Sequence, residues 1–366
     1  MKKKHGGISM IILGLDIGGA NTKAAVIKFQ DGKIEESISY IEYFPFWEKS
    51  ITEIPIMLKR VVMNLKEKNS SLLINLDFIA VTITAELSDA FQTKREGLNT
   101  ILNALDAVFD RQKLRFISTS NKFISFNEAQ NNYSSISASN WVSTALFLGR
   151  FETNCILIDA GSTTVDLIPI FNSLPVSCGK TDIERLINHE LIYTGGLRAT
   201  IPSITHHVPY LGKSIRVSFE KFALIADVHR ILGNISGAEY INDTADNRSK
   251  SLDDCYARLS RIICMDIESI SKEDLKKIAE FIYDKQINII CREIKMFMDN
   301  LVTRFNEFDA NPKFIITGVA ADFLIRNTLV NLGYNNIINF EQITQIPNRV
   351  SSSAFAIAGA LYYQLK

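Results

Sequence analysis

Two stretches of the chain repeat one glycine-punctuated pattern 143 residues apart. Asp16-Ile17-Gly18-Gly19-Ala20-Asn21-Thr22-Lys23 follows the apolar run Ile11–Leu15, and Asp159-Ala160-Gly161-Ser162-Thr163-Thr164-Val165-Asp166 follows Ile156–Ile158. Each copy reads as a buried strand, an acidic residue, a glycine turn with small hydroxyl or amide residues, and a second strand. The second strands are Ala24–Phe29 and Leu167–Phe171. A carboxylate at a strand end can hold a metal-bound water. Glycines let backbone N–H groups approach an anion with no Cβ in the way, and successive amides form an anion-binding concavity. One such turn is common in any protein. Two copies, each opening its half of the chain, predict a duplicated α/β fold that clamps a phosphorylated ligand in the cleft between its halves.

At 366 residues the chain is long enough to bury two substantial cores. Its 40 basic and 40 acidic residues cancel, so nothing electrostatic favours nucleic acid or an anionic membrane surface. The five cysteines (Cys155, Cys178, Cys255, Cys264 and Cys291) show no C-x-x-C pair and no zinc spacing, as expected of reduced thiols in a cytoplasmic protein. Lys2-Lys3-Lys4 before Ile11-Ile12-Leu13 imitates a signal peptide, but Asp16 cuts the apolar stretch short. Residues 1 to about 9 are expected to be a solvated lead-in, and no apolar run is long enough to span a membrane.

The first domain is expected over residues 10–148 and the second over 149–366, the second carrying a polar insertion from about 176 to 271 and the C-terminal helix. In the first, a strand at Lys33–Tyr43 precedes a helix over Trp47–Lys68, a strand Phe78–Thr84, a helix Glu96–Phe109 and a strand Leu114–Ser118. In the second, a helix over Leu275–Phe305, a strand Lys313–Thr317, a helix Ala320–Leu332 and a small-residue helix Ser352–Leu365 follow the insertion. Strand and helix alternate, as in a mixed sheet with helices on its faces.

Asp16 and Asp159 are the expected centres for metal and phosphate. Gly18, Gly19 and Gly161 shape the turns; Asn21, Thr22, Ser162, Thr163 and Thr164 either reach phosphate oxygens or satisfy the hairpin backbone. Lys23 aligns with Asp166, and either can face solvent. Glu86, Ser88 and Asp89 follow the C-terminal end of a strand, where open sheets present ligands, and they fit a solvated loop with a helix cap equally well. Asn140-Trp141 reads as a helix start with a core aromatic. His206 and His207, adjacent on a strand, point to opposite faces and share no metal. Asp243, Asp246, Asp253 and Asp254 form no calcium loop and are expected to be solvated. Walker, Rossmann, Gly-x-Ser-x-Gly and His-Glu-x-x-His signatures are all missing from the sequence.

The paired hairpins, with Phe314-Ile-Ile-Thr-Gly318, resemble the sugar kinase, heat-shock 70 and actin superfamily. That resemblance implies a duplicated actin-like (ribonuclease H-like) two-domain fold, and it adds Gly318 to the phosphate site. Asp159–Asp166 looks most like the hydantoinase and oxoprolinase branch. A narrower likeness rests on Thr84-Ala-Glu-Leu-Ser-Asp-Ala-Phe91 with Lys94, Ala138-Ser-Asn-Trp141, Tyr193-Thr-Gly195 and Thr244-Ala-Asp246. These look like the family of tetrahydromethanopterin-linked one-carbon transfer proteins. The likeness implies a transferase of methanofuran biosynthesis that joins a furan-methyl diphosphate to the phenol oxygen of γ-glutamyltyramine and releases diphosphate. It places Ser88, Lys94, Asn140 and Arg198 at the substrate. Asn247 stands where that family is expected to have glycine, a substitution that a left-handed turn tolerates. Leu197 breaks an expected basic run and leaves Arg198 as the nearby cation. On this reading Mg²⁺ near Asp16 and Asp159 balances the diphosphate, and Glu86 or Asp89 takes the phenol proton. The partners are small molecules, with no nucleic acid and no membrane, and an oligomer is possible. The rivals within the superfamily are an ATP-dependent kinase, a hydantoinase-like amidohydrolase and a non-enzymatic nucleotide switch.

Overall fold

Leu13, Leu15 and Ile17 alternate with Ile12, Gly14 and Asp16 along the first strand, so one face of it is apolar and the other ends in a carboxylate. The computed structural model describes residues 9–309, 311–347 and 351–366, which leaves nearly all of the expected lead-in outside the described residues. Two units divide the chain. The first comprises residues 1–154, 170–176 and 341–366; the second comprises 155–169 and 177–340.

In the first unit β1 (Ser9–Ile17), β2 (Asn21–Gln30) and β3 (Lys33–Tyr43) form an antiparallel meander. β4 (Phe78–Ile83) runs parallel to β1, β5 (Leu114–Ile117) parallel to β4, and β6 (Phe123–Ser125) closes the sheet in the order β3-β2-β1-β4-β5-β6. Leu13, Leu15, Ile17, Val81 and Ile83 pack on the helices Ile54–Lys68 and Lys94–Asp106 through Leu58, Val61, Leu98 and Ile101. The first helix begins later than its apolar spacing predicts. Ser50 and Glu53 cap a short 3₁₀ turn instead, and Pro55 sits at the true helix start, where its missing N–H costs nothing.

The C-terminal helix Ser352–Leu365 corrects the expected domain assignment. It packs on β1, β2 and the helix Asn140–Leu148, so it belongs to the first unit. Phe29 and Tyr362 stack at 4.2 Å between ring centroids, and the helix is buried along nearly its whole length. A helix of alanines and glycine has little side chain to hold it off a strand, which is what this close packing needs.

The second unit repeats the plan. Its strands are β7 (Cys155–Ala160), β8 (Val165–Phe171), β9 (Leu174–Pro175), β10 (Leu191–Ile192), the ribbon β11 (His207–Tyr210) and β12 (Lys213–Arg216), β13 (Phe314–Thr317) and β14 (Ile337–Asn339). The end of β8 and all of β9 fall in the first unit. The sheet order β10-β8-β7-β13-β14 matches β3-β2-β1-β4-β5 strand for strand. Asp16 lies opposite Thr82, and Asp159 lies opposite Thr317, each on a parallel neighbour. The duplicated actin-like α/β architecture is therefore present at the level of register.

The insertion is less polar than its composition predicts. Leu197, Ile201, Val228, Leu259, Leu275 and Ile282 build a separate core under the helix Lys272–Arg304, which Ser271 caps and Glu273 and Asp274 favour at its N-terminus. Asp246 is not solvated. It accepts from Arg258 at 3.0 Å and Arg261 at 2.9 Å, and Arg258 in turn binds buried Asp227 at 2.8 Å. Asn247 adopts the expected left-handed conformation, at φ 58°. The expected helix from Ala320 opens instead as a wide π turn over Ala321–Arg326. Among the described residues no helix is long and apolar enough to cross a membrane.

Candidate active site

Both glycine turns close in the same way. Gly18 N–H donates to Asn21 O at 3.1 Å, and Gly161 N–H donates to Thr164 O at 2.9 Å. In the first unit Asp16 is the last but one residue of β1 and is 5% exposed. Its Oδ2 accepts from Ser353 Oγ at 2.5 Å, with Lys23 Nζ at 3.7 Å. Its Oδ1 is buried and has no hydrogen-bond partner among the described residues, and the same holds for Thr82 Oγ1 on the neighbouring strand. An orphaned acceptor of this kind costs about 1–3 kcal/mol, which a bound group can recover. Thr22, expected at phosphate, is instead turned into the core, because it pairs with Ile17 and so shares that residue's apolar face.

The segment Thr84–Ser88 and the approach to Asn140 meet at this sheet end. Thr84 N–H and Ala85 N–H both donate to Ile17 O, at 2.9 and 3.1 Å. Ser88 lies 4.0 Å from where a Gly19 Cβ would stand. Glu86 and Asp89 do not share a face, since the segment turns without winding into a helix. Glu86 is buried, and its Oε1 accepts from Ser137 Oγ at 2.5 Å and Ala138 N–H at 3.0 Å, which pins the approach to Asn140. Asp89 is exposed. Lys94 opens its helix behind the Thr93 cap, and Asn140 opens another with Trp141 buried beside it.

In the second unit Gly318 marks the tightest point. Its φ is +92°, and a Cβ there would stand 2.3 Å from Ala160 O and 2.7 Å from Asp159 Oδ1. Only glycine brings β13 this close to the carboxylate. The π turn follows directly, with Ala320 N–H donating to Ala160 O at 3.1 Å. Wide turns of this sort are frequent at functional sites. Asp166, the counterpart of Lys23, does not face solvent freely. Arg185 donates to it at 2.6 Å, while burial pushes its carboxyl above the ordinary value against that pull.

Sequence reasoning missed what holds the second turn in place. The segment after Thr194 lays four amides on it: Gly195 to Thr163 O, Gly196 to Gly161 O, and Leu197 and Arg198 to Ser162 O, all at 2.9–3.0 Å. With its carbonyls taken from behind, the turn of Gly161, Ser162, Thr163 and Thr164 keeps one shape. Arg198 is carried to the turn by its own backbone. Behind the segment, Gln286 Nε2 donates to Thr194 Oγ1 and Gly195 O, each at 3.0 Å. Its Oε1 then accepts from His229 Nε2, and His229 Nδ1 accepts from Asn234, each at 3.1 Å. A polar Gln286 between Ile282 and Ile290 on a buried helical stripe was the available signal.

Complete burial keeps His229 neutral and pushes its pKa down to about 3, against the opposing pull of the Gln286 hydrogen bond. Unfolded, it titrates near 6.5. The unfolded chain therefore takes up the proton first. Stability from this group is full above about pH 6.5 and is lost as pH falls towards 3, by up to about 1.4 kcal/mol per pH unit. Melting temperature should fall more steeply between pH 6.5 and 4 in the native protein than in His229→Gln. Equal slopes would remove His229 as the source.

Among the described residues no three His, Cys, Asp or Glu side chains gather into a metal cluster. Mg²⁺ does not need one. It binds through one or two carboxylates together with phosphate oxygens and water, and the orphaned Asp16 Oδ1 is a hard oxygen donor of that kind.

Duplicated sheets of one strand order, each with an acidic glycine turn after its first strand, define a protein of the duplicated actin-like α/β fold. The chain belongs to the hydantoinase/oxoprolinase family, which matches residues 77–364. It is 34% identical, over 98% of its length and 99% of the relative's, to (4-{4-[2-(gamma-L-glutamylamino)ethyl]phenoxymethyl}furan-2-yl)methanamine synthase of Methanocaldococcus jannaschii. A synthase of the same name from Methanococcus vannielii is 31% identical over 54% of the chain and 84% of that protein. Among solved structures, nucleotide-free acetone carboxylase superposes with a TM-score of 0.50 at 13% identity, over 96% of this chain and 70% of that one, a likeness of fold alone. The expected hydantoinase and oxoprolinase branch is borne out.

Proposed function

We propose that this chain is the furan–phenol coupling synthase of methanofuran biosynthesis. The observation that carries this reading is the likeness to the M. jannaschii synthase from end to end of both chains. That synthase is named for an aryl ether between a phenol and a furan-methyl carbon. Making such an ether requires the phenol oxygen to displace a leaving group from that carbon. Diphosphate as the leaving group gives the glycine turns their purpose, because backbone amides and Lys23 can take up charge as the C–O bond breaks. The bond from carbon to diphosphate breaks, the phenol oxygen bonds to the carbon, and the phenol proton passes to a carboxylate. Asp89, exposed and next in sequence to Ser88 beside Gly19, suits that proton transfer, whereas buried Glu86 serves as the anchor of Ser137 and Ala138. Mg²⁺ held at Asp16 would neutralise charge on a departing diphosphate, and Asp159 is the carboxylate at the same position of the second unit. Gly18, Gly19, Asn21, Gly161, Ser162, Thr163, Thr164 and Gly318 shape the phosphate turns; Ser88, Lys94, Asn140 and Arg198 meet the substrates.

The direct test is mass spectrometry of the purified protein with the furan-methyl diphosphate, γ-glutamyltyramine and Mg²⁺. The coupled ether with one diphosphate per turnover is expected, and no ether would overturn the reading. Diphosphate with Mg²⁺ should also raise the melting temperature, since a ligand of the native state alone stabilises it by mass action. ADP released in step with product would favour a kinase instead.

A further inference from the structure

Gly14 lies two residues before Asp16, on the face of β1 that the C-terminal helix covers. A Cβ at this position would stand 2.0 Å from Ala354 O and 3.1 Å from Ile357 Cγ2, so any side chain there drives the helix off the strand. The close approach brings the first helical turn down onto Asp16. Ser353, the neighbour of Ala354, donates its hydroxyl to Asp16 Oδ2 at 2.5 Å. Lys23 from β2 donates to that same hydroxyl at 3.5 Å and stands 3.7 Å from Oδ2. One carboxylate oxygen is thus held from two sides, while Oδ1 has no partner among the described residues.

We propose that Ser353 is a positioning residue for Asp16. Its hydroxyl, seated by the close approach at Gly14, ties up Oδ2 and fixes the carboxylate rotamer so that Oδ1 is the oxygen offered to the ligand of the first glycine turn. This rests on the reading of that turn as a diphosphate site. A carboxylate without such a clamp turns over a broad range about its last torsion, so the direction in which its unpaired oxygen points is not fixed. The clamp therefore acts on the ligand through Asp16 and makes no contact of its own with it.

The test measures the affinity of inorganic diphosphate with Mg²⁺ by calorimetry on the full chain, alongside melting temperature and both KM values. Ser353→Ala should weaken diphosphate affinity ~10-fold or more, the scale of a lost hydrogen bond to a charged group. It should raise KM for the furan diphosphate, leave KM for γ-glutamyltyramine in place, and shift the melting temperature by only a few degrees. Ser353→Thr, which keeps the hydroxyl, should recover most of the loss. On an Asp16→Asn background, Ser353→Ala should add nothing, because a residue acting through Asp16 couples to it. Native affinity in Ser353→Ala, or a loss of equal size on both backgrounds, overturns the inference. Should Ser353→Ala fail to fold, Ser353→Cys, a weak donor of similar shape, takes its place, and native affinity in that variant is equally decisive. If Asp16→Asn alone binds diphosphate normally, the site reading fails first. If it loses binding while Ser353→Ala does not, only the positioning role fails.

Discussion

Asp16→Asn and Asp159→Asn will each lower turnover by at least ~10²–10³, the effect of removing one contact made to charge in a transition state, with melting temperatures close to that of the native protein. Each substitution removes a charge and keeps the shape of the side chain. In Asp16→Asn the amide can still accept from Ser353, so the helix above it keeps its anchor. In Asp159→Asn the side chain that fills the space beside Gly318 keeps its size. The two residues occupy one position in a duplicated framework, each at the glycine turn of its own unit, so the same loss is expected from either. Steady-state kinetics and thermal melts on the same preparations check this. Near-native rates in either variant, at an unchanged melting temperature, would remove that carboxylate from the mechanism.

Asp89→Asn should lower kcat by ~10²–10⁴, the range for loss of a general base, with little change in diphosphate affinity. A phenol of pKa about 10 is almost wholly protonated at neutral pH, so its oxygen attacks well only as a base takes the proton. A ring-fluorinated tyramine derivative, more acidic than the parent phenol, should recover part of the lost rate. Glu86→Gln should behave differently. Its buried carboxylate holds the Ser137 hydroxyl and the Ala138 amide, so the substitution should lower the melting temperature, with no rescue by the acidic phenol. A native rate in Asp89→Asn, or equal rescue of both variants, would place proton removal elsewhere.

The two carboxylates at the strand ends were legible because everything that defines them is local. A run of β-forming residues, an acid and a glycine turn fix their own hydrogen bonds, and the 143-residue repeat carries the register of one turn onto the other. Thr22 was misjudged because a turn residue and the first inward residue of a strand are one step apart, and a single step reverses the face. The burial of Glu86 depends on Ser137 and Ala138, some fifty residues away, which no local pattern reports. Asp246 looked like a loop acid until Arg258 and Arg261, on a later helix, closed on it. The home of the C-terminal helix was hidden for the same reason. Its alanines announce close packing but not the partner, and the residue that admits it is Gly14, at the other end of the sequence.

That return has a consequence for how the molecule is made. Ser353 is synthesised 337 residues after Asp16. At ~5–20 residues per second, β1 waits on the order of tens of seconds on the ribosome before its covering helix exists. Throughout that interval the edge of Gly14 and the polar end of Asp16 lie open, and the sheet that carries the first phosphate turn is nascent and unfinished. The chain also passes between the units four times, so neither can complete itself from one continuous stretch. A contact this distant in sequence slows folding, since the loop must close before the contact rewards it. Half of the enzyme cut out at residue 154 is therefore not a domain, and a site built on it alone would lack its roof.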